Sequence, residues 1–169
     1  MADIDFRADE DLADELEQPR RVDLVDPMTG EPIIDVNGKK AYVIVYSALS
    51  KRFKQRAFKV QGRASDIAKK MGGKIPLEMQ EKFEAQVYAC AFDDEWHIVK
   101  KNKADKKWHP IEAECNFDNV TNWVLANPLY RAQISAKTDN IQSFVDGDDA
   151  NFTTEASQPS SKRSKAVSS

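Results

Sequence analysis

Asn37-Gly38 stands just before Ala41-Tyr42-Val43-Ile44-Val45-Tyr46, and this juxtaposition limits the folds open to the chain more than any other feature. Asn-Gly is the strongest short signal for a reversing turn, because both residues tolerate positive φ. The run after it is branched and aromatic, the composition of a strand. Upstream, Val22-Asp23-Leu24-Val25 and Ile33-Ile34-Asp35-Val36 read as two more strands. Turn chemistry joins them at Asp26-Pro27-Met28-Thr29-Gly30-Glu31-Pro32, where Pro presets one dihedral and Gly allows a positive one. A meander of two or three such strands is marginal alone and has to pack on helices. The fold class expected is α+β, mostly α, with a small N-terminal antiparallel β-meander packed on a helical domain and disordered ends.

Helical signals follow. Ser47 suits an N-cap, and Leu49, Phe53, Ala57 and Val60 then repeat at near-helical spacing. Lys51, Arg52, Lys54, Arg56 and Lys59 fill the opposite face. Gly62 is expected to end or loosen this helix, with another turn or two over Ser65–Lys70 before Gly72-Gly73. Pro76 suits the first turn of a helix whose buried stripe reads Met79, Phe83, Val87 and Cys90. Asp93-Asp94-Glu95 then reads as a polar loop, Trp96–Val99 as a short strand and Lys100–Lys107 as a basic loop. Asn116 caps a helix over Phe117–Ala126, and Asn127-Pro128 starts another carrying Leu129, Tyr130 and Ile134. Thr138 or Asp139 caps a last helix with Ile141, Phe144 and Val145.

The flanks differ from this centre. Residues 1–19 set Asp9, Glu10, Asp11, Asp14, Glu15 and Glu17 around Leu12 and Leu16. The leucine pair supports a short helix, whereas the charge density favours a solvated arm. Such an arm either solubilises the chain, docks on a basic partner or folds back on the chain's own basic helix. Residues 147–169 are mostly Ser, Thr, Ala, Gln and Lys, which bury too little apolar surface to offset their ordering entropy. The domain division is thus a flexible acidic arm at 1–19, a single domain at 20–146 and a disordered tail at 147–169. The acidic start is no signal peptide, and no apolar run approaches the ~20 residues of a membrane span.

No recognisable chemistry stands out. Cys90, His97, His109 and Cys115 are the only cysteines and histidines, and no two are as close as paired zinc ligands usually are. They read as two buried, reduced thiols and two surface histidines. No G-x-S-x-G turn, P-loop or dinucleotide loop is present. The expectation is a non-enzyme with no cofactor, no metal and no catalytic residue. Eight basic residues against Asp66 over Lys51–Lys70, and five lysines between Trp96 and Trp108, are features a nucleic acid can use. The net charge of -3 argues against that use.

Three segments in order resemble a known family. Phe117-Asp118-Asn119-Val120-Thr121-Asn122-Trp123-Val124-Leu125 comes first, then Asn127-Pro128-Leu129-Tyr130-Arg131-Ala132-Gln133-Ile134, then Asp139, Asn140 and Phe144. A polar loop with Trp96 and a lysine-rich segment precede them. Over residues 33–145 this is similar, at low identity, to the tail assembly chaperones of long-tailed bacteriophages. The resemblance implies a chaperone that binds and solubilises the tape measure protein and helps recruit tail tube subunits. Self-association is a further expected interaction, the host cytoplasm the expected location, and absence from the finished virion the expected fate. Trp123, Leu129, Tyr130, Ile141 and Phe144 are the candidate partner contacts, with membership of the core as their alternative role. Two other readings stand beside it: a structural tail or neck component, and a nucleic-acid-binding accessory protein using the basic helix 51–59.

Overall fold

A computed structural model describes residues 4–140. Its order is α1 (Glu10–Leu16), β1 (Arg20–Asp23), β2 (Tyr42–Val45), α2 (Lys51–Lys70), α3 (Leu77–Ala89), β3 (Phe92–His97), β4 (Val99–Lys101), β5 (Trp108–Pro110), α4 (Phe117–Ala126) and α5 (Pro128–Thr138). The fold is α+β and mostly α: five helices with two small antiparallel sheets among the described residues. The last expected helix, with Ile141, Phe144 and Val145, and the tail 147–169 lie outside the described residues.

The meander takes another form than the one expected. β2 is the middle strand of a three-stranded sheet in the order β1-β2-β3, and its second neighbour comes from Phe92–His97. Asp93-Asp94-Glu95 is therefore strand rather than loop. Apolar positions on its inner side supply the reason: Phe92 pairs with Val45 and Trp96 with Val43. The segment 33–36 forms one isolated bridge, Ile34 to Lys40, and a second joins Val25 to Pro32 just before it. Pro32 lacks an N–H, and the Asp35 side chain takes the N–H groups of Asn37 and Lys39 at 2.8 and 2.9 Å, so the backbone turns instead of extending. Gly38 supplies the positive φ, +82°, that closes this turn.

The basic loop also narrows. β4 and β5 pair antiparallel, Lys101 opposite Trp108, leaving only the residues between them as the turn.

Val22, Val43, Val45 and Phe92 face the helices and form the core with Ala85, Ala89, Val120, Trp123, Val124 and Ile134. The other face is polar and aromatic. Arg21 lies 4.0 Å from the Tyr42 ring centroid, and the Tyr42 hydroxyl donates to Glu95.

The helices show three further shifts. α2 is capped by Ser50, whose hydroxyl accepts the Phe53 N–H, and not by Ser47. Ser47 is wholly buried in the preceding turn, where its carbonyl accepts from the Ser50 hydroxyl, so Leu49 stands outside the helix. Gly62 does not stop α2, since a helical glycine costs only about 1 kcal/mol against alanine. The stop is Gly72-Gly73, both at positive φ, where the Gly73 N–H reaches back to the Ala68 carbonyl. In α3 the buried face is Ala85, Ala89 and Cys90, while Met79, Phe83 and Val87 are half-buried. Small alanines allow α3 to pack closely along α4. The acidic arm contains α1, capped by Asp9, and α1 buries none of its residues.

Candidate functional site

Two hollows flank α4. The first, about 610 Å³, lies between α2, β3 and the start of α4. Arg56, Lys59 and Arg63 stand on one wall and Asp93, Asp94 and Glu114 on the other. Cys90 and Cys115 both line it. The Cys90 thiol donates to the Gln86 carbonyl and the Cys115 thiol to the Asp93 carbonyl. Burial pushes the Cys90 thiol up, with Arg56 and Arg63 opposing. Burial, reinforced by Asp94, Asp93 and Glu95, pushes Cys115 to about 12. Protonated thiols are weak nucleophiles.

The second hollow is an aromatic groove of about 570 Å³ between the β4–β5 hairpin and α4–α5. Trp123 is the floor. It is 8% exposed and meets three rings: Phe92 edge-on at 6.3 Å, Trp96 edge-on at 5.9 Å and Tyr130 stacked at 5.9 Å. Trp96 is fixed by its indole N–H, which donates to the Ala113 carbonyl at 2.9 Å. Trp108 forms the hairpin wall, with the Lys101 ammonium 5.6 Å from its ring centroid. Among the described residues, Lys100 and Lys101 are the only charged ones lining this groove. A shallower hollow of about 330 Å³ shares Lys101, Trp108 and Tyr130 with it and continues past the largely buried Asp26 to Met28 and Leu129. Leu129 is 61% exposed and Met28 88%.

Local chemistry holds the groove in shape. The Asn127 side-chain amide donates to the Trp123 carbonyl, so the α4–α5 corner is fixed; Asn116 caps the opposite end of α4, beside the cleft, through the Asn119 N–H at 2.9 Å. The Gln133 side chain takes both the N–H and the carbonyl of Val25, tying α5 to the loop that carries Met28. On the hairpin side the Val36 N–H donates to the Trp108 carbonyl at 2.9 Å. Val36 belongs to the turn organised by Asp35, whose side chain is 1% exposed and lies 2.7 Å from His97 Nε2. Burial alone raises the Asp35 carboxyl, but the Lys39 N–H, His97 and the Asn37 N–H outweigh it and hold the group below the usual carboxylate range.

The five sequence candidates thus separate. The core consumes Trp123, Tyr130 is half-buried on the groove wall, Leu129 stands out beside it, and Ile141 and Phe144 lie outside the described residues. Trp108, Met28 and the Lys100-Lys101 pair were missed. Their signal was the aromatic flanking the lysine run, which suggested nucleic acid rather than a protein groove. His97 is not at the surface but pinned against buried Asp35, while His109 is partly exposed beside Asp105. Among the described residues, no group of three or more His, Cys, Asp or Glu is placed to hold a metal ion. Nor, among them, is any helix long and apolar enough to cross a membrane. No protein-family model, curated protein or solved structure matches the chain.

Proposed function

We propose that this chain is a non-enzymatic holding protein that shelters an amphipathic helix in its aromatic groove, and specifically a tail assembly chaperone of a long-tailed bacteriophage. The observation that carries the reading is the groove itself: an ordered aromatic wall and floor, continued outward by exposed Leu129 and Met28. An apolar helical stripe aggregates in water, and a groove of this chemistry removes it from solvent through contacts spaced at i, i+3, i+4 and i+7. The order of motifs from Phe117 to Asn140 supplies the phage context, with the tape measure protein as client and the tail tube protein as the next recruit. Work in the host cytoplasm and absence from the virion belong to the same proposal.

Co-expression with tape measure and tube proteins, followed by pull-down, tests it. Retention of the tape measure protein by the native chain, and its loss on Trp108→Ala, is the expected result. Failure to keep any apolar helical segment soluble overturns the holding role. Abundant peptides of this chain in purified virions would instead favour a structural tail or neck component.

One observation favours a second reading. α2 displays exposed Lys51, Lys54, Lys59, Lys69 and Lys70 with Phe58 76% exposed among them, a surface suited to a phosphate backbone. Absence of DNA or RNA binding at low salt dismisses it.

A further inference from the structure

The groove is rimmed by cations of one sign, and the chain carries a segment of the opposite sign with its own apolar side chains. Residues 4–17 hold Asp5, Asp9, Glu10, Asp11, Asp14, Glu15 and Glu17 against the single Arg7. Ile4 and Phe6 project almost fully into solvent, Phe6 at 86% exposure, and α1 buries none of its residues. The bonds that hold the arm to its own body are polar, and of its apolar side chains only Ala13 and Leu16 are half-buried. Glu15 pairs with Arg20, and the Glu17 carboxylate accepts the Lys51 N–H at 3.0 and 3.1 Å.

The sheet fixes where the arm leaves. Arg20 pairs with Val45, and Val45 pairs with Phe92, at one end. The hairpin that walls the groove begins after His97, which pairs with Tyr42 at the other end. The arm therefore stands at the far end of the sheet from the groove of its own chain, where Lys100 and Lys101 lie against the aromatic wall and Lys103, Lys106 and Lys107 continue around the turn.

We propose that the acidic arm of one copy, Ile4–Leu16, docks in the lysine-rimmed aromatic groove of a second copy. Phe6 enters the aromatic hollow, Leu12 follows along it, and the carboxylates meet the hairpin lysines. A helix client must then displace the arm, so the arm acts as a placeholder that covers the groove until the client arrives. The inference rests on the groove being a docking surface, as proposed above, and not on the identity of the phage partner.

Sedimentation equilibrium of the full chain over a wide concentration range tests it, with no other protein present. The native chain is expected to associate reversibly, and more weakly as salt screens the charges. Phe6→Ser in the arm, and Lys100→Glu with Lys101→Glu in the groove, are each expected to weaken association about tenfold or more. All three positions are solvent-facing or groove-lining, and circular dichroism checks that the variants fold. Mixing the arm variant with the groove variant is expected to restore a heterodimer, because one supplies an intact groove and the other an intact arm. A chain that stays monomeric at every concentration overturns the proposal. So does association that neither variant weakens, or a mixture no better than its parts. A native chain that associates but captures no client fails the chaperone reading alone, and a native chain that captures a client but never associates fails only this one.

Discussion

The two hollows beside α4 are similar in size, about 610 and 570 Å³, and opposite in chemistry. The cleft toward α2 faces Arg56, Lys59 and Arg63 with Asp93, Asp94 and Glu114. Two of its charged groups have partners within the chain: Asp93 bonds Arg52 at 3.3 Å, and Arg56 donates to the Phe92 carbonyl. Among the described residues, the groove toward the hairpin has Lys100 and Lys101 as its only charged lining, over an aromatic floor. A hollow with both signs can satisfy itself. A hollow with one sign and apolar walls gains from an outside group that covers the rings and answers the charge. That difference is why we propose the groove, and not the slightly larger cleft, as the docking surface.

The largest test of the contrast is Trp123→Ala. Trp123 joins the groove floor to the core through Phe92, Trp96 and Tyr130, so removing it destabilises the fold by about 3–5 kcal/mol in urea unfolding. A loss below about 1 kcal/mol would separate the groove from the core and remove the argument for a rigid docking surface. Next is Asp35→Asn, which leaves the Asn37 and Lys39 N–H groups facing an amide and loosens the turn that holds Trp108 through Val36. The cost is about 2 kcal/mol at neutral pH, because the side chain is wholly buried. The sign of its pH dependence follows from the lowered carboxyl. The ionised form is the stabilised one, so the contribution is full above the ordinary carboxylate value of 3.8 and is lost as pH falls through the lower folded value. The gap between the thermal melts of the two proteins should therefore stay full down to about pH 4 and close only at more acid pH. A gap that persists unchanged in acid would show that the Asp35 charge is not what holds the turn.

These residues also show what was legible in sequence. Asn116 announced the start of α4 and Asn127-Pro128 the α4–α5 corner, because caps and helix-start prolines act through their immediate neighbours. Gly72-Gly73 announced the end of α2 for the same local reason. Asp93-Asp94-Glu95 did not announce a strand, since its partner Val43–Val45 lies some fifty positions upstream and only the pairing explains Phe92 and Trp96. The groove was half legible. Leu129 and Tyr130 were marked as contacts, but Trp123 could not be told from them, because a buried stripe and a binding stripe share one helical spacing. Trp108 is held to the surface by tertiary contact with Val36, and Met28 sits on the loop that Gln133 ties down at Val25, neither of which local sequence announces.

Two smaller effects sharpen the comparison, one on each side of α4. Asn116→Ala removes the cap at the cleft edge and exposes the Asn119 N–H, costing about 1 kcal/mol without changing client binding. An equal loss of client binding in this variant would show that the cleft takes part. Leu129→Ser is the smallest change to the fold and the most selective for the groove. Leu129 is in the first turn of α5, where serine is well tolerated, and 61% of it already meets solvent. Stability should move by less than about 0.5 kcal/mol. Capture of an apolar helix should nonetheless fall about tenfold, because the residue extends the aromatic wall where a helix would leave the groove. Lys59→Ser, on the cleft wall, is the matched control and should leave capture unchanged. If Leu129→Ser and Lys59→Ser weaken capture equally, the single-sign groove has no privileged role, and the distinction between the two hollows falls.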